Sequence, residues 1–343
     1  MLKTIKLTLA AVAALGLVAV ASQPVKAAGF YAGKQIKIVI GFGFGGTYGK
    51  YARLFAEHLP KYIDGKPTII VQSMPGAGGI KAMNYVGNVM PHDGLNLFVP
   101  LDSGLLAQLI FAKKVKYDYG KFISLGTANQ TNVIVIVRSD TDITDWKQLR
   151  DKQIIMGATG RGSTAFLIPN LINGLLGTKM KIISGYKGSS KTGLSVEQGE
   201  TNGAAFNWLF WKSKYARWFE GDKPYARAIM QVGHIKDGDL PNVPMLRNQV
   251  TGEARKIAEF VGALGLIGRG LAAPEGTDMA RVKELRIAFD KMVSDPSFIA
   301  DTKKRRLRVI AAKGSEVQKV INDTLARATP ELVRAAQKAI LGK

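Results

Sequence analysis

The sequence predicts an α/β protein with two medium-sized sheets, mostly parallel and flanked by helices. Three observations carry this. Strand-like and helix-like runs alternate along most of the chain, which is the pattern of α/β layers. The runs are short, which suits two sheets better than one large one. And 343 residues are enough for two domains of ordinary size.

The first 27 residues stand apart. Lys3 and Lys6 form a charged start, residues 7–21 are apolar without charge, and Val25-Lys26-Ala27 puts small residues just before Ala28. That is the layout of a secretory signal peptide cleaved near Ala27. The apolar run is short for a membrane span, which takes ~20 residues. The expected product is soluble and exported, into a bacterial periplasm.

In the mature chain, strands are expected at 36–40, 68–71, 95–99, 133–137, 153–157, 181–184, 203–206 and 226–232. Helices are expected between them, at 50–60, 80–89, 144–149, 164–176, 191–198 and 208–219. Residues 260–268 are apolar and rich in glycine, and are read as an extended crossover strand that returns the chain to its first lobe. From 277 onward the pattern is helical, in segments 277–294, 297–306 and 316–340, with Pro296 opening the second.

The first strand runs into a glycine turn and then a helix. Gly41, Gly43 and Gly46 satisfy G-x-G-x-x-G, formally the dinucleotide fingerprint. That fingerprint needs an acid at the end of the second strand to hold a ribose, and here the strand ends in Val71-Gln72-Ser73-Met74. A dinucleotide-dependent oxidoreductase is therefore only the alternative reading. The same turn suits a carboxylate, because free N–H groups and the helix dipole favour negative charge. A second turn, Gly157-Ala158-Thr159-Gly160-Arg161-Gly162-Ser163-Thr164, again follows a strand and opens a helix, with Ser163 or Thr164 as N-cap. Two such turns in different halves suggest helix N-termini facing each other across a cleft, with Gly45-Gly46-Thr47 opposite Gly162-Ser163-Thr164.

Composition narrows the chemistry. Lys and Arg number 48 against 26 Asp and Glu, a formal charge of +22 that attracts anions at long range. The basic residues are dispersed. The densest run, Lys303-Lys304-Arg305-Arg306, is short and follows a helix, so it reads as a solvated face and not a nucleic-acid patch. There is no cysteine, which excludes disulfides, thiolate nucleophiles and Cys-based metal sites. His58, His92 and His234 are too scattered for a zinc site. No nucleophile–base pair and no G-x-S-x-G is found, so no catalytic residue, cofactor or metal is expected. Trp208, Trp211, Tyr215 and Trp218 share one helical face. That face is either core or, at Asn207 and Trp208, cleft lining for an aromatic or long apolar solute. Arg161 and Lys187 are either carboxylate partners or solvated loop charges.

In order and spacing these segments resemble the periplasmic solute-binding receptors of tripartite tricarboxylate transporters, the TctC-like or Bug family. The likeness runs over essentially the whole mature chain. It rests on the first strand and glycine turn with Ala52-Arg53-Leu54, then Met74-Pro75-Gly76-Ala77-Gly78-Gly79, Pro91-His92-Asp93-Gly94 and Thr159-Gly160-Arg161-Gly162-Ser163. Gly185-Tyr186-Lys187-Gly188, Leu240-Pro241-Asn242-Val243-Pro244 and Ala273-Pro274-Glu275-Gly276-Thr277 follow in register. The resemblance implies a two-lobed Venus flytrap: residues 28–131 plus 262–343 as lobe one and 132–261 as lobe two. It implies that a small organic carboxylate is gripped between the lobes by the two glycine loops, partly through water, and delivered to the membrane components of a transporter. Carried over, the grip falls on Phe44, Gly45, Gly46, Thr47 and Tyr48, with Ser103 after the third strand, and on Thr159, Gly160, Gly162, Ser163 and Thr164. Arg161, Asn207 and Trp208 complete the candidate set. The protein is expected to work as a monomer. The chain departs from the family pattern where Gly41 and Gly43 replace prolines, where Gly49 stands in place of Asp, and where Phe166 stands in place of His.

Overall fold

The computed structural model describes residues 29–342, so the signal-peptide reading of residues 1–27 lies outside the described residues. The first half of the chain builds one sheet. It runs β1 (Gln35–Ile40), α1 (Thr47–His58), β2 (Thr68–Ser73), α2 (Ile80–Asn88), β3 (Asn96–Phe98), α3 (Gly104–Ile110) and β4 (Ile123–Asn129). A second sheet follows with β5 (Val133–Arg138), β6 (Ile154–Ala158), α4 (Thr164–Leu176), β7 (Met180–Ser184), α5 (Ser189–Glu197), β8 (Gly203–Asn207), α6 (Trp208–Tyr215), β9 (Ala226–Val232) and α7 (Gly252–Ala263). The chain then returns with β10 (Arg269–Ala273), α8 (Met279–Ser294), α9 (Pro296–Lys304), β11 (Ala312–Lys313), α10 (Gly314–Arg327) and α11 (Pro330–Leu341).

The strand orders are β11-β4-β10-β3-β1-β2 and β7-β6-β8-β5-β9. Each sheet joins a parallel part to an antiparallel part. β1 runs parallel to β2 and β3, and β6 to β7 and β8. β10 enters antiparallel between β3 and β4, and β5 lies antiparallel between β8 and β9. This is a two-lobed α/β fold, as expected, but the sheets are mixed and not mostly parallel: four strand pairs run parallel and five antiparallel, because β10 and β5 enter each sheet against the direction of their neighbours. Its cores follow the sequence period: Ile36, Ile38 and Ile40 of β1 are fully buried, as are Tyr51, Leu54 and Phe55 of α1. Phe55 meets Phe289 of α8 with ring centroids 5.3 Å apart, which fixes α1 on the returning helices.

The expected elements recur with small changes at their ends, apart from four differences. Residues 260–268 are not extended: they complete α7 and a 3-10 turn, and the returning strand begins at Arg269. The apolar run is a helix face, because Ile257, Ala258, Phe260 and Val261 recur at helical spacing and are all buried. The expected helix 144–149 is a 3-10 helix, Trp146–Arg150, opened by a capping box at Asp145. The single helix expected at 316–340 is broken at Thr329, which caps α11 by accepting from Leu332 N–H, with Pro330 in its first turn. α3, β4 and β11 come in addition. The last helix, α11, packs closely on α4: a Cβ on Gly174 would sit 2.1 Å from the Ala339 carbonyl oxygen.

Candidate functional site

Three helices begin at the junction of the two sheets with their N–H groups open. α1 starts after Gly46, α4 after Ser163 and α5 after Gly188. None has a side-chain cap or an acid in its first turn. Ser163 occupies the N-cap position of α4, but its hydroxyl points back and donates to the Gly160 carbonyl at 2.7 Å. Each open helix start presents unpaired donors and about half a positive charge. Thr47, Ser163, Thr164 and Ser189, from the three starts, line one cavity together with Ser103, Thr159 and Asn207. The cavity is narrow, with about 30 Å³ open to a water-sized solute, room for roughly two waters.

The lobes meet directly around it. Ser103 Oγ donates to the Gly162 carbonyl at 2.8 Å, and Asn207 Nδ2 donates to Thr47 Oγ1 at 3.0 Å. Gly162 N–H donates to the Ala77 carbonyl at 3.3 Å. Lys50 Nζ donates to Ser213 Oγ at 2.9 Å. Gly160 and Gly78 come close together beside the cavity: a Cβ on Gly160 would lie 2.4 Å from Gly78 N. Gly78, at φ +69, also adopts a left-handed turn that other residues resist.

A buried ion pair forms the first-lobe wall. Arg269 Nη1 donates to Asp102 Oδ2 at 2.8 Å, and both residues are buried. Tyr48 donates to Asp102 Oδ1 at 2.8 Å, and its ring lies 3.8 Å below the guanidinium. Burial pushes the Tyr48 phenol well up, against the pull of Arg269, so it stays a neutral donor. Burial works against the Arg269 charge, but Asp102 and Tyr48 more than compensate and the group is held ionised. Arg269 Nε donates to Thr47 Oγ1 at 2.9 Å. Thr47 Oγ1 therefore accepts from both Arg269 and Asn207, which leaves its own proton for an acceptor in the cavity. Across the cavity, in the second-lobe wall, Thr159 Oγ1 is buried without a partner.

Of the residues singled out in the sequence, Gly46, Thr47, Tyr48, Ser103, Thr159, Ser163, Thr164 and Asn207 line this cavity. Six do not. Phe44 is 40% exposed, with Arg53 over its ring. Gly45 abuts Ser190 of α5. Gly160 and Gly162 abut Gly78 and Ile80. Arg161 is exposed beside Phe166. Trp208 belongs to the aromatic core of the second lobe, against Phe219, with Nε1 donating to Asp239. Both turns reach the cavity, yet each abuts a different element: the first faces the start of α5, the second the turn at 77–80. Sequence reading missed Asp102, Arg269 and Ser189. A signal was available for the pair, since each charge adjoins an apolar strand-like run, where an unpaired ion would be costly.

A family model described as tripartite tricarboxylate transporter family receptor matches residues 51–336. The chain is similar to the UPF0065 protein in the gbd 5′ region of Cupriavidus necator, 25% identical over 299 residues, which cover 84% of this chain and 83% of that protein. Among solved structures it is similar in fold to periplasmic binding protein BugD, with a TM-score of 0.70 at 19% identity over 90% of this chain and 98% of that one. It is also similar to MatC from Rhodopseudomonas palustris with bound malate, with a TM-score of 0.67 at 18% identity over 88% and 99%.

Proposed function

The chain belongs to the tripartite tricarboxylate transporter receptor family, and from that premise we propose that it captures a small organic carboxylate between its lobes in the periplasm and hands it to membrane components of a transporter, without catalysis. The observation that carries this reading is the convergence of three uncapped helix N-termini on one enclosed cavity. Together they present a positive potential and unpaired N–H donors without a mobile side chain. Malate bound in the structurally similar MatC points to the same ligand class. In this reading the first and second lobes divide near residues 131 and 262. Gly46, Thr47, Thr159, Ser163, Thr164 and Ser189 hold the carboxylate. Ser103 and Asn207 act chiefly as closure contacts, because their polar atoms already bridge to the other lobe or cap α6.

The dinucleotide alternative loses its footing in the same geometry. A Cβ on Gly45 or Gly46 would lie 2.6 Å from Ser190 or Ser189, so the second lobe occupies the space in front of the fingerprint turn. A thermal-shift screen of mono-, di- and tricarboxylates on the mature protein tests the reading. A ligand at a hundred times its dissociation constant stabilises by ~2.7 kcal/mol, and several degrees of shift are expected for at least one acid. No shift with any acid at millimolar concentration would overturn it.

A further inference from the structure

A second basic feature, outside the cleft, is not absorbed by this function. α5, the end of α6 and the turn after α9 enclose an open groove of about 640 Å³. Lys191, Lys214, Arg217 and Arg306 line it, with Glu197 as the single acid. Among the described residues, none of the four cations lies within ion-pair distance of a carboxylate. Lys50 adjoins the group: burial first, then Lys214, Arg53 and Arg306, hold its amine down to about 8. Four cations share one acid, Glu197, which acts on Lys214, and such an excess of like charge is unfavourable until a further anion joins it.

Two further observations point to a ligand. Arg306 sits at φ 56, in the left-handed position that ends α9 and that glycine occupies most easily. A strained arginine is held where glycine would relieve the backbone. The cations are also interleaved with Leu194, Tyr215 and Trp218, and the last two rings are only 4.1 Å apart. That mixture suits a chain carrying both acidic and apolar side chains better than a bare inorganic anion. Arg306 comes from the first lobe and the other three cations from the second, so the groove is complete only while the lobes are together. We propose that this groove docks an extended acidic segment of a protein partner, and that it does so in the closed state. This goes beyond the cleft and is independent of which solute fills it.

The test uses the mature protein and a fluorescein-labelled peptide alternating Glu with Leu, followed by anisotropy at about 50 and about 200 mM salt. The triple variant Lys191→Ser/Arg217→Ser/Arg306→Gly is compared with Lys256→Ser/Lys283→Ser/Lys338→Ser, which removes the same charge elsewhere. The groove variant should weaken binding ~10-fold and the control less than ~2-fold. The single reversal Arg217→Glu repeats the comparison at one exposed side chain. Equal weakening in both triple variants, or no peptide binding at the lower salt, overturns the proposal. So does an oligonucleotide of equal charge competing as well as the peptide. The groove variant should keep the full carboxylate thermal shift, so failure here and failure of the cleft reading are separate results.

Discussion

Replacing Gly162 with alanine adds one methyl group at a place where only closure objects to it. Its Cβ would lie 2.6 Å from Ile80 Cγ1 and 2.9 Å from the Ala77 carbonyl oxygen, both on the opposite lobe. Ile80 can adjust, but the Ala77 backbone is tied to Gly162 N–H and cannot retreat without losing that bond. The Gly162 backbone itself is outside the left-handed region, so alanine is tolerated when the lobes part and gains slightly from a less flexible unfolded chain. Overpacking of this kind costs ~2 kcal/mol, charged to the closed state alone. Affinity for the carboxylate that the thermal-shift screen identifies should therefore fall ~30-fold. Titration calorimetry reads the affinity, and small-angle scattering should show a larger radius of gyration for the variant. If the radius and the affinity both match the parent protein, closure does not use the Gly162–Ala77 contact and the reasoning is wrong.

Two further outcomes follow from the buried groups. Arg269→Met leaves Asp102 buried and unpaired, and should cost ~3–5 kcal/mol in denaturant unfolding. Arg269→Met/Asp102→Asn should recover most of that loss, and equal losses would show that the two residues are not coupled. Lys50 is held near 8 in the folded protein against an ordinary value of 10.5. Its charge therefore destabilises the fold below pH 8, and the penalty is relieved as pH rises from 8 to 10.5. Lys50→Met should gain ~1 kcal/mol at pH 7, allowing for its partial exposure. A gain of the same size at pH 7 and above 10.5 in thermal melts would contradict this assignment.

The parts of the fold that were legible are those where one period dominates. The β1–turn–α1 unit and the Gly157–Thr164 turn showed themselves because an apolar run, glycines and a new periodicity follow in order. β4 did not, since Gly126, Ala128 and Asn129 are poor strand formers and the polar Ser124, Thr127 and Asn129 interrupt the apolar run, yet all lie buried, held by the strands on either side. Residues 260–268 were ambiguous because a short apolar run does not separate helix from strand. At the site, the helix starts were readable and the partners across the gap were not. Which element faces Gly45 or Gly162 depends on how the lobes meet, a contact between residues more than 80 positions apart with no local trace. Arg269 and Asp102 were hidden for another reason: a charge is expected at the surface until its counter-charge is seen beside it.

The C-terminal helix adds a constraint on how the two halves move. α11 follows a first-lobe helix yet lies against α4, and Gln337 Nε2 also donates to the Leu109 carbonyl of α3 at 2.8 Å. In the division proposed above the chain crosses between the lobes near residues 131 and 262, and α11, a first-lobe helix by sequence, adds a packing contact with α4 of the other lobe. Two chain crossings allow a body to twist as well as swing, whereas an added packed contact restricts the twist. The separated form then samples few orientations, so bringing the halves together gives up little configurational freedom, and more of each contact made on closing is retained as affinity.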